Sequence, residues 1–174
     1  MTLDPDVLVV GAGPAGAAAA IHLTRAGRRV LVVDRARFPR DKVCGDGLTS
    51  AALHHLEGLG VDLGEVPSFR PVPEIRVLSP SGSQRRFPFP EGQGLYAGAA
   101  RRTDLDAAVV AAARRAGVDV REGHGLLDVR DEGHRVVADV EGLGVVTARH
   151  VVGADGMWSP TRRALGLAPE GYRG

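Results

Sequence analysis

The sequence has few of the residues that build covalent or metal cross-links. Its 174 residues include one cysteine, Cys44, so an internal disulfide framework is excluded. No CxxC or HExxH spacing occurs, and we therefore predict no metal site. A single cysteine is typical of a protein that works in a reducing cytoplasm.

Long hydrophobic runs and an excess of one charge are also missing. No stretch of about 18 apolar residues occurs, and the N-terminal MTLDPD has neither the basic start nor the apolar core of a signal peptide. We therefore expect a cytoplasmic protein whose only form of membrane contact is peripheral, at the inner face. The formal net charge of +1 argues against a nucleic-acid-binding surface and favours small or neutral partners.

The remaining composition is that of a folded globular domain. Hydrophobic residues make up 44% of the chain and charged residues 25%, which argues against disorder. Lys42 is the only lysine among 22 basic residues. We interpret this arginine excess as codon bias rather than as a phosphate-binding code.

The most informative motif occupies residues 6–34, DVLVVGAGPAGAAAAIHLTRAGRRVLVVD. Gly11 can make a tight turn after a strand, Gly13 lets the backbone approach a pyrophosphate, and Gly16 lets the helix pack closely on the strand. Pro14 and Ala15, which begin the helix, are also predicted to bind the cofactor, because the start of a helix offers free N–H groups to phosphates. The acid that ends the second apolar run, Asp34, is placed to accept hydrogen bonds from a ribose. The pattern predicts a dinucleotide-binding βαβ unit and leaves NAD(P) and FAD both open.

Periodicity along the rest of the chain predicts an α/β fold with a parallel sheet. We predict strands over 7–10, 30–33, 118–121 and 151–154 and helices over 14–26, 49–59 and 103–116. Thr103 is expected to cap the third helix, with Asp106 three positions later. The strand over 151–154 is expected to be buried, and residues 125–150 to form a three-stranded meander with turns near 132–133 and 141–144.

A change in composition near residue 67 predicts a segment that leaves this parallel sheet. Six prolines lie between Pro67 and Pro90, and the segment EIRVLSPSGSQRRFPF alternates like a hairpin that turns at Ser81-Gly82. Residues 35–47 are expected to form an irregular loop. We interpret residues 67–98 as the beginning of a second, antiparallel layer.

The order of these motifs resembles one flavoprotein superfamily. A glycine-rich βαβ unit, a basic loop, an RRTDLD helix, a meander and VVGADGMWSPTR occur in the order of the monooxygenases and reductases that include p-hydroxybenzoate hydroxylase. Within that superfamily, DRARFPRDKVCGDGLT resembles the geranylgeranyl reductase family, whose members reduce carbon–carbon double bonds in prenyl chains. The resemblance implies a Rossmann-like FAD-binding domain over 1–174, interrupted at about 67–98 by the start of a substrate domain.

The resemblance assigns cofactor-binding roles to several residues. Asp34 would bind the adenosine ribose of FAD, and Arg35 would stack on the adenine, the alternative being a solvated charge at a strand end. Arg102, in an Arg-x-x-Leu-Asp pattern, would reach toward the diphosphate. Its neighbour Arg101 is interpreted as a surface charge.

A second fingerprint follows the last predicted strand. Asp155 and Gly156, with Ser159 and Arg162 after them, match a superfamily motif that contacts the cofactor pyrophosphate and supports reaction with NAD(P)H. The alternative is an ordinary turn, because aspartate before glycine at a strand end is common.

The segment Cys44-Gly45-Asp46-Gly47 carries the candidate catalytic residues, because the resemblance places it near the flavin ring. Its glycines, including the predicted cofactor-binding residue Gly45, allow close backbone approach. Cys44 or Asp46 could supply a proton to carbon after hydride delivery. Asp46 would need a pKa raised by burial, whereas an ordinary thiol is already protonated. The alternative is a small buried cysteine in a glycine-rich turn.

The function implied is an FAD-dependent oxidoreductase that uses NAD(P)H to reduce double bonds of a prenyl lipid or quinone tail. The alternatives are a monooxygenase of a small molecule, a non-catalytic FAD-binding module that needs a complementing C-terminal half, and a plain NAD-binding domain. A later glycine–aspartate motif of the superfamily does not occur after Ala154. We therefore expect the N-terminal part of a longer enzyme, without its C-terminal remainder and with exposed apolar surface that lowers solubility.

Overall fold

The computed structural model describes residues 4–92 and 94–167. The first three residues of MTLDPD and the last part of the predicted 1–174 domain lie outside them. The elements in chain order are β1 Val7–Val10, α1 Pro14–Arg25, β2 Val30–Asp34, β3 Gly47–Thr49, α2 Ser50–Gly58, β4 Arg70–Pro71, β5 Glu74–Leu78, β6 Gln84–Pro88, β7 Ala97–Ala99, α3 Arg102–Arg115, β8 Asp119–Glu122, β9 Leu126–Asp131, β10 Val136–Val140, β11 Gly144–Ala148, β12 His150–Gly153 and α4 Pro160–Ala164.

The centre of the molecule is a four-stranded parallel sheet in the order β12-β1-β2-β8. Strand β1 pairs with β2 from Val7 opposite Val30 and with β12 from Val7 opposite His150. A parallel sheet needs cover on both faces, which explains why β1 and β2 are continuous runs of Val and Leu. The predicted α/β fold is confirmed.

Alternate side chains of the sheet enter two separate cores. Val7, Val9, Val30 and Val32 pack with α1 and α3 in one buried cluster. Their neighbours Leu8, Val10, Leu31 and Val33 pack with apolar residues of the meander β9–β11 in the other. The result is three layers, helices on sheet on meander, that fix the carboxyl ends of β1 and β2.

The predicted meander is confirmed as an antiparallel sheet in the order β11-β10-β9. The predicted hairpin is confirmed as β5 paired with β6, with Gly82 at φ +86° in its turn. A third small sheet, β3-β7-β4, joins the loop after β2 to the strand before α3.

Three local predictions are wrong. Helix α3 begins at Arg102 with Arg101 as its N-cap residue, so Thr103 lies inside the first turn, and no side-chain capping bond from the described residues closes the start of the helix. Strand β12 is half-buried rather than buried, since it is an edge strand of the sheet as described. The expected loop ends in strand β3, which pairs Gly47 with Ala99. Within residues 4–92 and 94–167, no helix is long and apolar enough to cross a membrane.

Candidate dinucleotide site

The glycine-rich loop after β1 is closed so tightly that two of its glycines admit no side chain. Gly11 has φ +101°, and a Cβ there would lie 2.4 Å from the carbonyl oxygen of Ala154. A Cβ on Gly16 would lie 1.8 Å from the carbonyl oxygen of Gly11. The predicted roles of these glycines in turning the chain and in packing the helix agree with this geometry.

The start of α1 has donors to offer. Gly13 is the N-cap residue, Pro14 follows it, and no side chain in the described part of the chain makes a capping bond there. The first N–H groups of a helix have no intrahelical partner and carry partial positive charge. An anion at this end therefore has both a field and backbone donors to bind it.

Asp34 holds the loop together from the end of β2. Its Oδ2 accepts the N–H of Ala12 at 2.7 Å, and its Oδ1 accepts the N–H of Ala36 at 2.8 Å. A carboxylate has about four lone-pair positions, so acceptor capacity remains for ribose hydroxyls. The structure thus gives Asp34 a loop-bracing contact that the sequence did not predict.

Arg35 lies beyond Asp34 with an exposed side chain. Its Cβ is 3.3 Å from the position that a Cβ on Gly125 would occupy. Next to it, the guanidinium of Arg37 lies so close to Gly123 that a Cβ there would sit 2.9 Å from Nη2. The stacking of Arg35 on an adenine stays a prediction.

Asp106 is the charged centre of the site. Its side chain is fully buried and accepts two parallel hydrogen bonds from Arg102, at 2.7 and 2.8 Å. Arg40 of the basic loop approaches the same carboxylate at 3.0 Å. The bond to Asp106 raises the pKa of the Arg102 guanidinium above its ordinary value. Two arginines therefore share one buried carboxylate.

Arg40 also links this cluster to the glycine-rich loop. Its Nη2 lies 3.5 Å from the position of a Cβ on Gly13, and its guanidinium carbon lies 5.1 Å from the ring centre of Phe38. The sequence analysis gave Arg40 no role in the site, although Arg40 lies in the segment DRARFPRDKVCGDGLT that carries the resemblance. Its signal is the spacing after Phe38, where an aromatic ring can hold a guanidinium.

The candidate catalytic segment is anchored beside Arg102. The N–H of Ala100 donates to the carbonyl oxygen of Asp46 at 3.0 Å, and Asp46 has a left-handed backbone at φ +56°. Cys44 is exposed, so the alternative of a buried structural cysteine is wrong. Hydrogen bonds from the Asp46 backbone and then from Arg102 lower the pKa of the Cys44 thiol.

The second fingerprint meets the glycine-rich loop directly. A Cβ on Gly11 would lie 3.0 Å from the Cα of Asp155. Oδ2 of Asp155 accepts the N–H of Thr161 at 2.9 Å, while its buried Oδ1 has no hydrogen-bond partner within the residues described. Gly156 follows at φ +86°, and Ser159 Oγ accepts the N–H of Arg162 at 3.0 Å. The cofactor roles of Asp155 and Gly156 stay predictions.

Two cavities lie away from the candidate site. A cavity of about 330 Å³ is lined by residues that include Pro39, Thr103 and Asp104. A second of about 600 Å³ lies against α2. Neither is lined by a residue predicted for the site. Contacts instead connect two predicted residues, Gly13 and Cys44, through Arg40, Asp106 and Arg102.

Comparison with curated proteins supports the resemblance found in the sequence. The chain is 42% identical over 171 residues to a menaquinone reductase of Mycolicibacterium smegmatis, covering 95% of the chain and 41% of the relative. It is 33% identical over 169 residues to a digeranylgeranylglycerophospholipid reductase of Methanopyrus kandleri, covering 94% of the chain and 40% of the relative. The chain thus spans about two fifths of the length of these relatives.

Solved structures give the same result for the fold. A flavoprotein/dehydrogenase of Cytophaga hutchinsonii superposes with a TM-score of 0.82 at 29% identity, over 97% of this chain and 44% of that one. The FAD binding domain family matches residues 4–174, which is nearly the whole chain. With its glycine-rich loop, its uncapped α1 and Asp34 in their expected places, the chain belongs to the FAD binding domain family.

Proposed function

We propose that the chain is the FAD-binding portion of an FAD-dependent oxidoreductase that uses NAD(P)H to reduce carbon–carbon double bonds in a prenyl lipid or quinone tail. The observation that carries the proposal is the contact series from Gly13 to Cys44, because it joins a diphosphate-binding loop to a candidate proton donor. The similarity to a menaquinone reductase and to a digeranylgeranylglycerophospholipid reductase supports the substrate class.

The residues present fit FAD. The uncapped start of α1 and the guanidinium of Arg102 would hold its diphosphate, and the free lone pairs of Asp34 would accept its ribose hydroxyls. The unpartnered Oδ1 of Asp155 adds an acceptor beside the loop. FAD supplies a hydride when bound and reduced.

The protein must then supply a proton to the second carbon of the double bond. The exposed thiol of Cys44 suits this role, since the Asp46 N–H and Arg102 lower its pKa and make it a stronger acid. A general acid works best when its pKa approaches the working pH. Asp46, half-buried and two residues after Cys44, is the other candidate donor.

Product analysis tests the proposal. The protein as made by its own cells is supplied with FAD and NADPH without oxygen, together with menaquinone or a geranylgeranyl lipid. We expect a product that has gained two hydrogen atoms. The product should form more slowly with Cys44→Ala than with Val43→Ala, which is the control because Val43 is the exposed neighbour of Cys44. Insertion of an oxygen atom in air would establish the monooxygenase instead. Retention of FAD that NADPH does not reduce would establish a non-catalytic module or a half that needs a partner.

A further inference from the structure

We infer that Arg40 binds the diphosphate of the dinucleotide directly and that Asp106 positions it together with Arg102. This inference rests on the proposed FAD binding and adds a residue that neither the motifs nor the family comparison assigns. The ligand class is a nucleoside diphosphate, either free or as the diphosphate of FAD.

The position of Arg40 is the first observation. Its Nη2 lies next to the Cβ position of Gly13, 3.5 Å away, at the start of α1. The N-terminus of a helix carries partial positive charge, so a cation placed there is electrostatically unfavourable. An anion bound between the Arg40 guanidinium and the N-terminus of α1 offsets this repulsion and is attracted by both groups.

The unused donors of Arg40 are the second observation. Its Nη1 lies 3.0 Å from Oδ2 of Asp106, but this buried nitrogen makes no aligned hydrogen bond among the described residues. Arg102 already occupies the carboxylate with two well-formed bonds. The Arg40 guanidinium is thus held by charge at one end while its other donors remain available.

The charge balance of the cluster is the third observation. Two guanidinium groups with 21% and 18% exposed side chains share one fully buried carboxylate. The three groups together carry a charge of one positive unit. A diphosphate supplies negative charge, and its oxygens match the planar donors of arginine.

Asp106 acts on the ligand only through the two arginines, because its own side chain is fully buried. It fixes one guanidinium from the basic loop and one from α3 in the same place. For a variant that removes the charge of Asp106, this positioning role and simple electrostatics predict opposite changes in anion affinity. Removing a negative charge near a bound anion strengthens binding electrostatically, whereas loss of positioning weakens it.

Binding measurements on the full chain test the inference. FAD and ADP are titrated calorimetrically into the parent chain and into Arg40→Ala, Arg40→Lys, Asp106→Asn and Arg101→Ala. Arg101 is the matched control, since it is a neighbouring arginine whose side chain is 74% exposed. We expect Arg40→Ala to weaken both ligands by about tenfold or more, as for loss of one charge-assisted hydrogen bond. Lysine at position 40 should restore part of the loss, and Arg101→Ala should change little.

Salt dependence separates a ligand contact from a purely structural role. Arg40→Ala should lower the slope of log Kd against log salt concentration, because one cation fewer meets the phosphates, while Arg101→Ala should leave it unchanged. Asp106→Asn should weaken binding despite its added positive charge. Thermal melts without ligand identify variants that fail to fold. If Asp106→Asn fails to fold, the comparison of Arg40→Ala with Arg40→Lys still decides the question.

The outcomes distinguish this inference from the proposed function. Unchanged ADP and FAD affinity in Arg40→Ala, or tighter binding in a folded Asp106→Asn, overturns the arginine arrangement and leaves FAD binding intact. Binding of ADP that depends on Arg40, without binding of FAD, supports the arginine arrangement and overturns the proposed cofactor. A parent chain that binds neither ligand overturns both.

Discussion

The carboxylate of Asp34 and the backbone N–H of Ala12 are joined by a hydrogen bond of 2.7 Å across 22 residues of sequence. The bond ties the end of β2 to the glycine-rich loop after β1. Because its second oxygen accepts the N–H of Ala36, the acid shapes the glycine-rich loop as well as the proposed ribose site. Ligand binding and loop stability therefore depend on one side chain.

Replacing Asp34 should lower the stability of the protein even without ligand. Asp34→Ala leaves two backbone N–H groups without their acceptor, and we expect the free energy of unfolding to fall by about 1–3 kcal/mol. Urea denaturation without FAD measures this free energy of unfolding. Asp41→Ala is the control, since exposed Asp41 bonds only the N–H of its neighbour Lys42 within the residues described. Equal stability of Asp34→Ala and the parent chain would show that the bond is not formed in solution.

A methyl group at Gly16 should disrupt the loop, whereas one at Gly58 should be harmless. The added Cβ at Gly16 would meet the backbone oxygen of Gly11 at 1.8 Å, whereas at Gly58 no described atom outside its own helix turn lies within 4 Å of that position. We expect Gly16→Ala to destabilise by about 2 kcal/mol or more and to abolish FAD binding. Gly58→Ala, at the end of a helix, should stabilise by up to about 1 kcal/mol.

Thermal unfolding and FAD titration of both glycine variants provide the check. If Gly16→Ala melts at the temperature of the parent chain and still binds FAD, the close approach of α1 to the loop is wrong.

The pH dependence of Cys44 alkylation should reveal its contact with Arg102. The Asp46 N–H and the Arg102 guanidinium stabilise the thiolate and so lower the pKa of the thiol. The thiolate is the reactive form, so the midpoint of the rate against pH should lie below that of a free cysteine peptide. Arg102→Ala removes one cause and should move the midpoint up, toward the peptide value.

Iodoacetamide labelling followed by mass spectrometry measures this midpoint, because Cys44 is the only cysteine of the chain. Arg101→Ala serves as the control of equal charge change and should not move it. A midpoint that is the same in Arg102→Ala and in the parent chain would contradict the contact.

Much of the fold was predictable because its signals are local. Apolar runs of the right length predicted β1 and β2, and the alternation in residues 125–150 predicted the meander. The carboxylate of Asp106 shows where local reasoning stops. Its spacing from Thr103 imitates a helix cap, but it is engaged by Arg102 within α3 and by Arg40 from a distant loop.

Long-range pairing explains the other differences. Three residues, Gly47–Thr49, form β3 only because β7 lies beside them, and no periodicity in so short a segment can show this. The partial burial of β12 follows from its place at the edge of the sheet, which depends on strand order rather than on composition. In the candidate site, the glycines and Asp34 were found by spacing, whereas Arg40 belongs to it only through the fold.

One face of the hairpin β5–β6 should promote self-association. Ile75, Val77 and Phe87 lie on the same face, because Ile75 pairs with Phe87 and alternate residues share a face, and each is at least half exposed. Val77→Lys with Phe87→Lys should reduce association, since charges on an exposed sheet face oppose it.

Light scattering across a range of protein concentrations measures this effect. Leu78→Lys is the control, because Leu78 is 67% exposed but lies on the opposite face of the hairpin, with Glu74. An equal effect of the control would show that added charge alone, and not this face, governs association.

The most direct test of the account is a comparison of FAD and NADH binding to the purified chain by isothermal titration calorimetry. We expect one FAD to bind per chain, more tightly than NADH, and Gly16→Ala to abolish the binding of FAD. Binding of NADH without binding of FAD would contradict the account and would identify a plain NAD-binding domain.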